Sequence, residues 1–199
     1  TLSILKNDIK NEVASDFLKK NLILLLLTGL LFYFVTYFFQ IVIYNLFNNS
    51  EVNYVSNESS NGLVINILLI LIIPFFEELF FRKLLIDYLA TKKSINFAII
   101  VSSLIFALSH FFSDSGLLLV FCGGLLFATI YSRTRFVISS FIIHLSYNFF
   151  TIVLAGIMTK LFVNLPTWIY ILCFFISVGL LFFSVNRIIK ENISLKGDS

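Results

Sequence analysis

Long apolar runs alternate with short polar breaks along this chain. The runs are Leu22–Phe47, Leu63 to about Leu89, Ile95–Phe112, Gly116–Tyr131, Phe136 to about Met158 and Trp168 to about Ile189. Most approach the ~20 apolar residues that a helix needs to cross a bilayer. None shows the period-two alternation of a barrel strand, so the runs predict helices. The breaks are an Asn- and Ser-rich loop at 48–61, a basic loop at 90–94, a tight turn at Ser113-Asp114-Ser115, a loop carrying Arg133 and Arg135, and a connection holding Lys160, Asn164 and Pro166. Residues 1–20 differ from the rest. Leu2, Leu5, Ile9, Val13 and Phe17 make one apolar stripe at helical spacing among polar neighbours, which predicts an amphipathic helix lying on the membrane surface. The expected fold is all-α: a polytopic membrane helical bundle of about six transmembrane helices. An N-terminal amphipathic helix precedes it, and residues 1–199 form a single membrane domain with the bundle at 22–189.

Composition sharpens this into a class. Of 199 residues, 59% are hydrophobic and 13% charged, with a mean hydropathy of +0.98. A soluble domain carries about 25% charged residues, so an integral membrane protein is expected, with the lipid bilayer as its first partner. A net charge of +3 is too small to suggest nucleic acid. Cys122 and Cys173 both fall in apolar runs, where they read as small core residues and not as a disulfide. No segment resembles a cleavable signal peptide. The abundance of Phe, Ile, Leu, Asn and Lys suggests an AT-rich bacterial genome, hence a bacterial cell membrane.

Charge also predicts orientation. With both termini cytoplasmic, thirteen of the fourteen Lys and Arg residues fall on the inner side or inner half, and Lys160 alone falls outside. That is the positive-inside tendency. Within the second run lie Glu77, Glu78 and Arg82, each costing roughly 2.5–3.5 kcal/mol near a helix centre on insertion scales. Intramembrane charges usually face a bundle interior or a water-filled cavity and mark function. The basic loops and inner-half glutamates predict a hydrated cavity open toward the cytoplasm. Pro74 removes a backbone hydrogen bond just before the glutamates and predicts a kink.

The remaining polar groups in apolar runs are few. They are His110, His144 (the chain's two histidines) and Asn148. Glu78 and Arg82 are four residues apart, on one helical face, with the acid first. Glu77 is rotated by about 100° and is left to find partners elsewhere. Phe106 lies four residues before His110 and can pack beneath its ring, while His144 and Asn148 share a face. A carboxylate there can activate water, with His and Asn stabilising an oxyanion. The same set, Glu77, His110 and His144, can instead hold a divalent metal such as Zn. Counted along the third run, His110 falls nearer the outer end than its partners. Gly124-xxx-Ala128 is a small-xxx-small pair that allows close helix approach, and Trp168 and Tyr170 suit interfacial anchors. Asp87 suits the inner interface.

In order along the chain stand EExxxR at Glu77–Arg82, FxxxH at Phe106–His110 and HxxxN at His144–Asn148, within a core at 75–148. This set resembles the CAAX-protease and bacteriocin-processing family (CPBP, or Abi) of intramembrane proteases, which includes the eukaryotic type II CAAX prenyl endopeptidase. The resemblance implies that Glu77 activates the attacking water with His110 positioning it, that His144 and Asn148 form the oxyanion hole, and that Glu78 and Arg82 support the site. It implies an endopeptidase acting on a membrane-bound peptide or protein, in bacteriocin or signal-peptide processing or in CAAX-type cleavage. Both metal-dependent and purely glutamate-dependent mechanisms are ascribed to the family. Its eukaryotic member has more helices, so bacterial peptides are the expected substrates. One rival is a non-catalytic bacteriocin self-immunity or partner-binding membrane protein that keeps the motifs for folding. An ion transporter using the buried acids is another, although no internal repeat supports it. The sequence does not fix an oligomeric state.

Overall fold

The structure is a computed structural model and describes residues 2–47, 62–112, 116–162 and 165–197. Among the described residues eight α-helices follow in order: α1 Leu2–Phe47, α2 Leu63–Ile67, α3 Ile73–Glu78, α4 Asp87–Lys92, α5 Ile95–Ser109, α6 Leu117–Thr134, α7 Val137–Leu161 and α8 Thr167–Gly197. π-helical turns at Leu68–Ile72 and Leu79–Ile86 join α2, α3 and α4 into one broken helix over 62–92. No strand occurs among the described residues. The expected all-α membrane bundle is the fold. Among the described residues four helices are long and apolar enough to cross a membrane, within α1, α6, α7 and α8, and α5 is a shorter apolar helix. The broken helix makes the sixth member.

Two expectations need adjustment. The amphipathic stretch at 1–20 is not a separate surface helix, because from Leu2 it is helical and runs unbroken into the first span. Its Phe17 is fully buried in a core cluster with Ile130, Ile143 and Ile188 and packs on Phe136. The side chains of Leu2, Leu5, Ile9 and Val13 lie outside the described residues. So do the loop at 48–61, the turn at Ser113-Asp114-Ser115, and Asn164. Tyr170 is not an interfacial anchor. It is buried, and its hydroxyl accepts from the Leu165 N–H and donates to the Phe162 carbonyl, closing the turn between α7 and α8. Trp168 is exposed, as an anchor would be.

Small residues let the helices close up. A Cβ on Gly124 would stand 3.1 Å from Cα and Cβ of Ser103, so the predicted close approach is that of α6 to α5. The tightest approach was not anticipated. At Gly29 of α1 a Cβ would meet the Ile143 carbonyl and the Ser146 side chain at 2.6 Å. Polar side chains then bond between helices, as hydrocarbon surroundings favour. Ser146 donates to the Leu26 carbonyl, Thr28 meets Ser184, and Asn192 donates to the Arg133 carbonyl. Thus α1, α7 and α8 form a scaffold behind the broken helix, α5 and α6.

Candidate active site

Pro74 shapes the element that carries the glutamates. The Ile73 N–H bonds to Leu68, one residue further back than in an α-helix, and Pro74 has no N–H to give. The Leu69 carbonyl thereby loses both of its helical donors. The side-chain amide of Asn148 on α7 supplies a replacement, Nδ2 donating to it at 3.1 Å. A freed carbonyl in hydrocarbon would otherwise cost several kcal/mol. Within the second π turn the Phe81 carbonyl accepts from the Ser102 hydroxyl at 2.8 Å. π-bulges occur often at functional sites; here they flank Glu77 and Glu78, and the second contains Arg82.

The two glutamates face different surroundings. Glu78 and Arg82 are both 0% exposed. Arg82 Nε donates to Glu78 Oε2 at 3.2 Å, and His144 Nδ1 meets Glu78 Oε1 at 3.1 Å. Arg82 Nη1 donates to Ser102 at 3.2 Å, while its Nη2 has no hydrogen-bond partner among the described residues. The guanidinium carbon stands 4.9 Å from the Phe106 ring centre and 5.8 Å from that of Phe127, within cation–π range. The carboxylate and the rings together compensate a charge that burial alone would make very costly.

Glu77 points instead into a cavity of about 330 Å³. Its side chain is 19% exposed. Its Oε1 lies 3.4 Å from His110 Nε2 and its Oε2 lies 3.8 Å from His144 Nε2. Each imidazole is fixed through its other nitrogen. His110 Nδ1 meets the Phe106 carbonyl at 2.9 Å, and His144 Nδ1 meets Glu78. With Nδ1 protonated against those acceptors, both Nε2 atoms turn toward Glu77. Phe106 packs on His110 with ring centres 4.7 Å apart, and Phe127 stacks on His144 at 4.6 Å and 18°. Asn148 and Tyr147 complete the wall near His144.

All six candidate residues from the sequence therefore gather in one place, in two layers. Glu78 and Arg82 lie beneath, Glu77 and His110 line the cavity, and His144 bridges the two. Asn148 lines the cavity but spends one amide hydrogen on Leu69. Ser102 and Phe127 went unnoticed in the sequence, since a lone Ser or Phe in an apolar helix carries no distinguishing signal. The depth mismatch of His110 resolves through helix length. α5 stops at Ser109, so His110 caps it well below a full crossing. Glu77 and His144 agree in depth when counted from the salt bridge of Asp87 and Arg135, about 15 and 13 Å along their helices.

The donors in this cluster have the chemistry of a zinc site, with the second nitrogen of each histidine held by an acceptor. Their spacing does not: among the described residues no three His, Cys, Asp or Glu side chains form a group that could hold a metal.

The cavity has a buried and an exposed part. Its floor is His144, Phe106 and Phe127, each at most 5% exposed. Its rim includes Leu69, Leu119, Thr151 and Ile152, toward the ends of the helices remote from Arg133 and Arg135.

Residues 59–150 match the family model of type II CAAX prenyl endopeptidases, Rce1-like. Those residues, a little under half of the chain, are similar to the Rce1-like family. This is a CPBP family, as the three motifs implied. No curated protein and no solved structure matches the chain. The Rce1-like region takes in the broken helix, α5, α6 and the site-bearing part of α7, and leaves α1 and α8 outside it as the scaffold. The similarity to a membrane protease family, together with four membrane-length apolar helices among the described residues, makes this an integral membrane protein.

Proposed function

We propose that the chain is an intramembrane endopeptidase that hydrolyses a membrane-associated peptide or protein with water activated by Glu77. The observation that carries this is the placement of the Glu77 carboxylate on the cavity wall with the Nε2 atoms of both histidines turned to it at 3.4 and 3.8 Å. A water in the cavity gives its proton to Glu77 as its oxygen adds to the scissile carbonyl carbon. His110 holds the carboxylate and the water in line. The developing oxyanion is met by a protonated His144 Nε2 and by the second amide hydrogen of Asn148, since one of its two is already on Leu69. When the C–N bond breaks, the proton on Glu77 passes to the leaving amine. Glu78 and Arg82 touch no substrate in this scheme; they set the ring plane and charge of His144.

Bacteriocin or signal-peptide segments, or CAAX-type ends, are the substrate classes we propose, in a bacterial cell membrane with both termini cytoplasmic. The mechanism we propose routes no step through a metal. Purified chain should cleave a quenched-fluorescence membrane peptide, Glu77→Gln should abolish cleavage, and chelators should leave the wild-type rate unchanged. Turnover retained in Glu77→Gln sinks the mechanism; loss with a chelator, restored by Zn, replaces it with a metal-dependent one. If neither wild type nor variant cleaves while a self-immunity phenotype survives Glu77→Gln, the motifs serve folding in a partner-binding protein.

A further inference from the structure

One stripe of α7 runs along the cavity. His144, Tyr147, Asn148, Thr151 and Ile152 all line it, and their spacings of three and one keep them on a single helical face. Apart from Glu77 and His110, every polar side chain of the lining stands on this stripe. His144 and Asn148 have places in the proposed hydrolysis; Tyr147 and Thr151 have none. They lie about 4.5 and 10.5 Å beyond His144 along the helix axis. Leu69, Ile73, Leu119 and Val120 give the cavity apolar surface but no hydrogen-bonding side chain.

The Tyr147 ring is held in place. It packs on Phe32 with ring centres 5.0 Å apart, Phe32 meets Phe127, and Phe127 stacks on His144. Gly123 leaves room for this chain of rings, since a Cβ there would stand 3.2 Å from the Phe32 ring. The Tyr147 hydroxyl lies beside those of Thr36 and Thr151. Both threonines have already spent their single hydrogen, Thr36 on the Tyr33 carbonyl and Thr151 on the Tyr147 carbonyl, each at 2.9 Å. Neither can donate to the phenol. The three hydroxyl oxygens therefore share one uncommitted hydrogen, that of Tyr147. The group is short of donors and suits a ligand that brings one.

A peptide brings donors at a fixed interval. In an extended strand every second residue turns its main-chain N–H and C=O to the same side, about 6.6 Å further on. With the attacked carbonyl seated on His144 and Asn148, the residue two places away turns its N–H to the α7 stripe between Tyr147 and Thr151. We infer that Tyr147 and Thr151 form a main-chain subsite, which accepts the N–H of that residue and holds the substrate segment extended along α7. That the occupant is a peptide rests on the proposed hydrolysis. The subsite responds to backbone shape and not to side-chain identity.

The test uses the full chain and the quenched-fluorescence peptide of the hydrolysis assay, remade with one amide at a time replaced by an ester. The ester removes an N–H and keeps the shape of the chain. Wild type is compared with Tyr147→Phe, Thr151→Val and the double variant, each of which loses a hydroxyl and little volume; the single variants guard against a double variant that fails to fold. One ester, two residues from the cut, should lower kcat/KM in wild type about fivefold, the worth of one hydrogen bond, and chiefly through KM. In the double variant the same ester should cost nothing further. A merely structural role would slow amide and ester peptides alike and leave their ratio as in wild type, which overturns the inference. So does a scan with no sensitive position at that distance. If nothing is cut, the hydrolysis reading fails, and the same series is scored by binding through fluorescence anisotropy. One ester that weakens binding about fivefold to wild type but not to the double variant upholds the subsite. No such ester, or no binding of the peptide, overturns it.

Discussion

Adjacent glutamates should fail in opposite ways when each becomes Gln. Glu78 accepts from two donors, Arg82 Nε and His144 Nδ1, and is fully buried. A Gln there has one acceptor oxygen and an amide NH₂, so one of the two donors faces another donor. The buried guanidinium also loses its counter-charge. Removing one partner of a buried ion pair costs about 3–5 kcal/mol, which for a chain of this size lowers the melting temperature by roughly 10 °C. Glu77 is partly exposed and makes no ion pair with Arg82. Its change to Gln forfeits at most about one net hydrogen bond, roughly 1 kcal/mol. The assay is thermal unfolding in detergent beside peptide hydrolysis: Glu78→Gln unfolds early, while Glu77→Gln melts near wild type and is inactive. A third variant isolates the cause. In Glu78→Gln/Arg82→Met the stranded charge is gone, and replacing a buried pair by apolar groups is often neutral, so stability should return without activity. The reasoning is refuted if Glu78→Gln melts with wild type, or if the double variant is no more stable than Glu78→Gln.

Three further outcomes follow from particular contacts. Asn148→Leu removes the donor to the Leu69 carbonyl, so backbone amides near the turn at Leu68–Ile72 should exchange with deuterium faster while α6 and α8 stay protected; unchanged exchange there would show the bond to be idle. Gly29→Ala puts a methyl 2.6 Å from the Ile143 carbonyl and should cost about 1–3 kcal/mol or more by overpacking, exceeding Gly124→Ala, where the contacts are 3.1 Å; melting temperatures give the order. Arg135 sits at φ 64°, a left-handed conformation that costs a non-glycine residue about 1–2 kcal/mol. Arg135→Gly and Arg135→Ala both lose the bond to Asp87, so the glycine variant should be the more stable by about that amount, and equal melting would refute the strain.

Much of this site was legible because charge in hydrocarbon is so expensive that the sequence cannot hide it. Glu77, Glu78, Arg82 and the only two histidines stand out from their apolar surroundings. Helical spacing then decides which can pair within a helix. Glu78 and Arg82, four apart, do pair at 3.2 Å, and Glu77, a third of a turn away, does turn to the histidines. Basic-residue counting gave the layout of the helix ends, and the common end is visible in the contacts of Asp87, Arg135, Asn192 and Phe17. The N-terminal helix misled for a physical reason. A stripe at spacing of three to four is satisfied equally by a lipid surface and by a neighbouring helix, and Phe17 found the latter.

What the sequence could not show depends on backbone bookkeeping. Pro74 announces a lost hydrogen bond, but not that the register slips by one residue before it. Under an α-helical register the orphan would be the carbonyl of Ile70; with the Ile73 N–H on Leu68, it is that of Leu69. That single shift decides what Asn148 does. An amide read from its spacing as a partner of His144 is drawn partly to the chain opposite, where a carbonyl in hydrocarbon has no water to turn to. It also ties the loosely packed end of the broken helix to the same residue that lines the cavity beside His144.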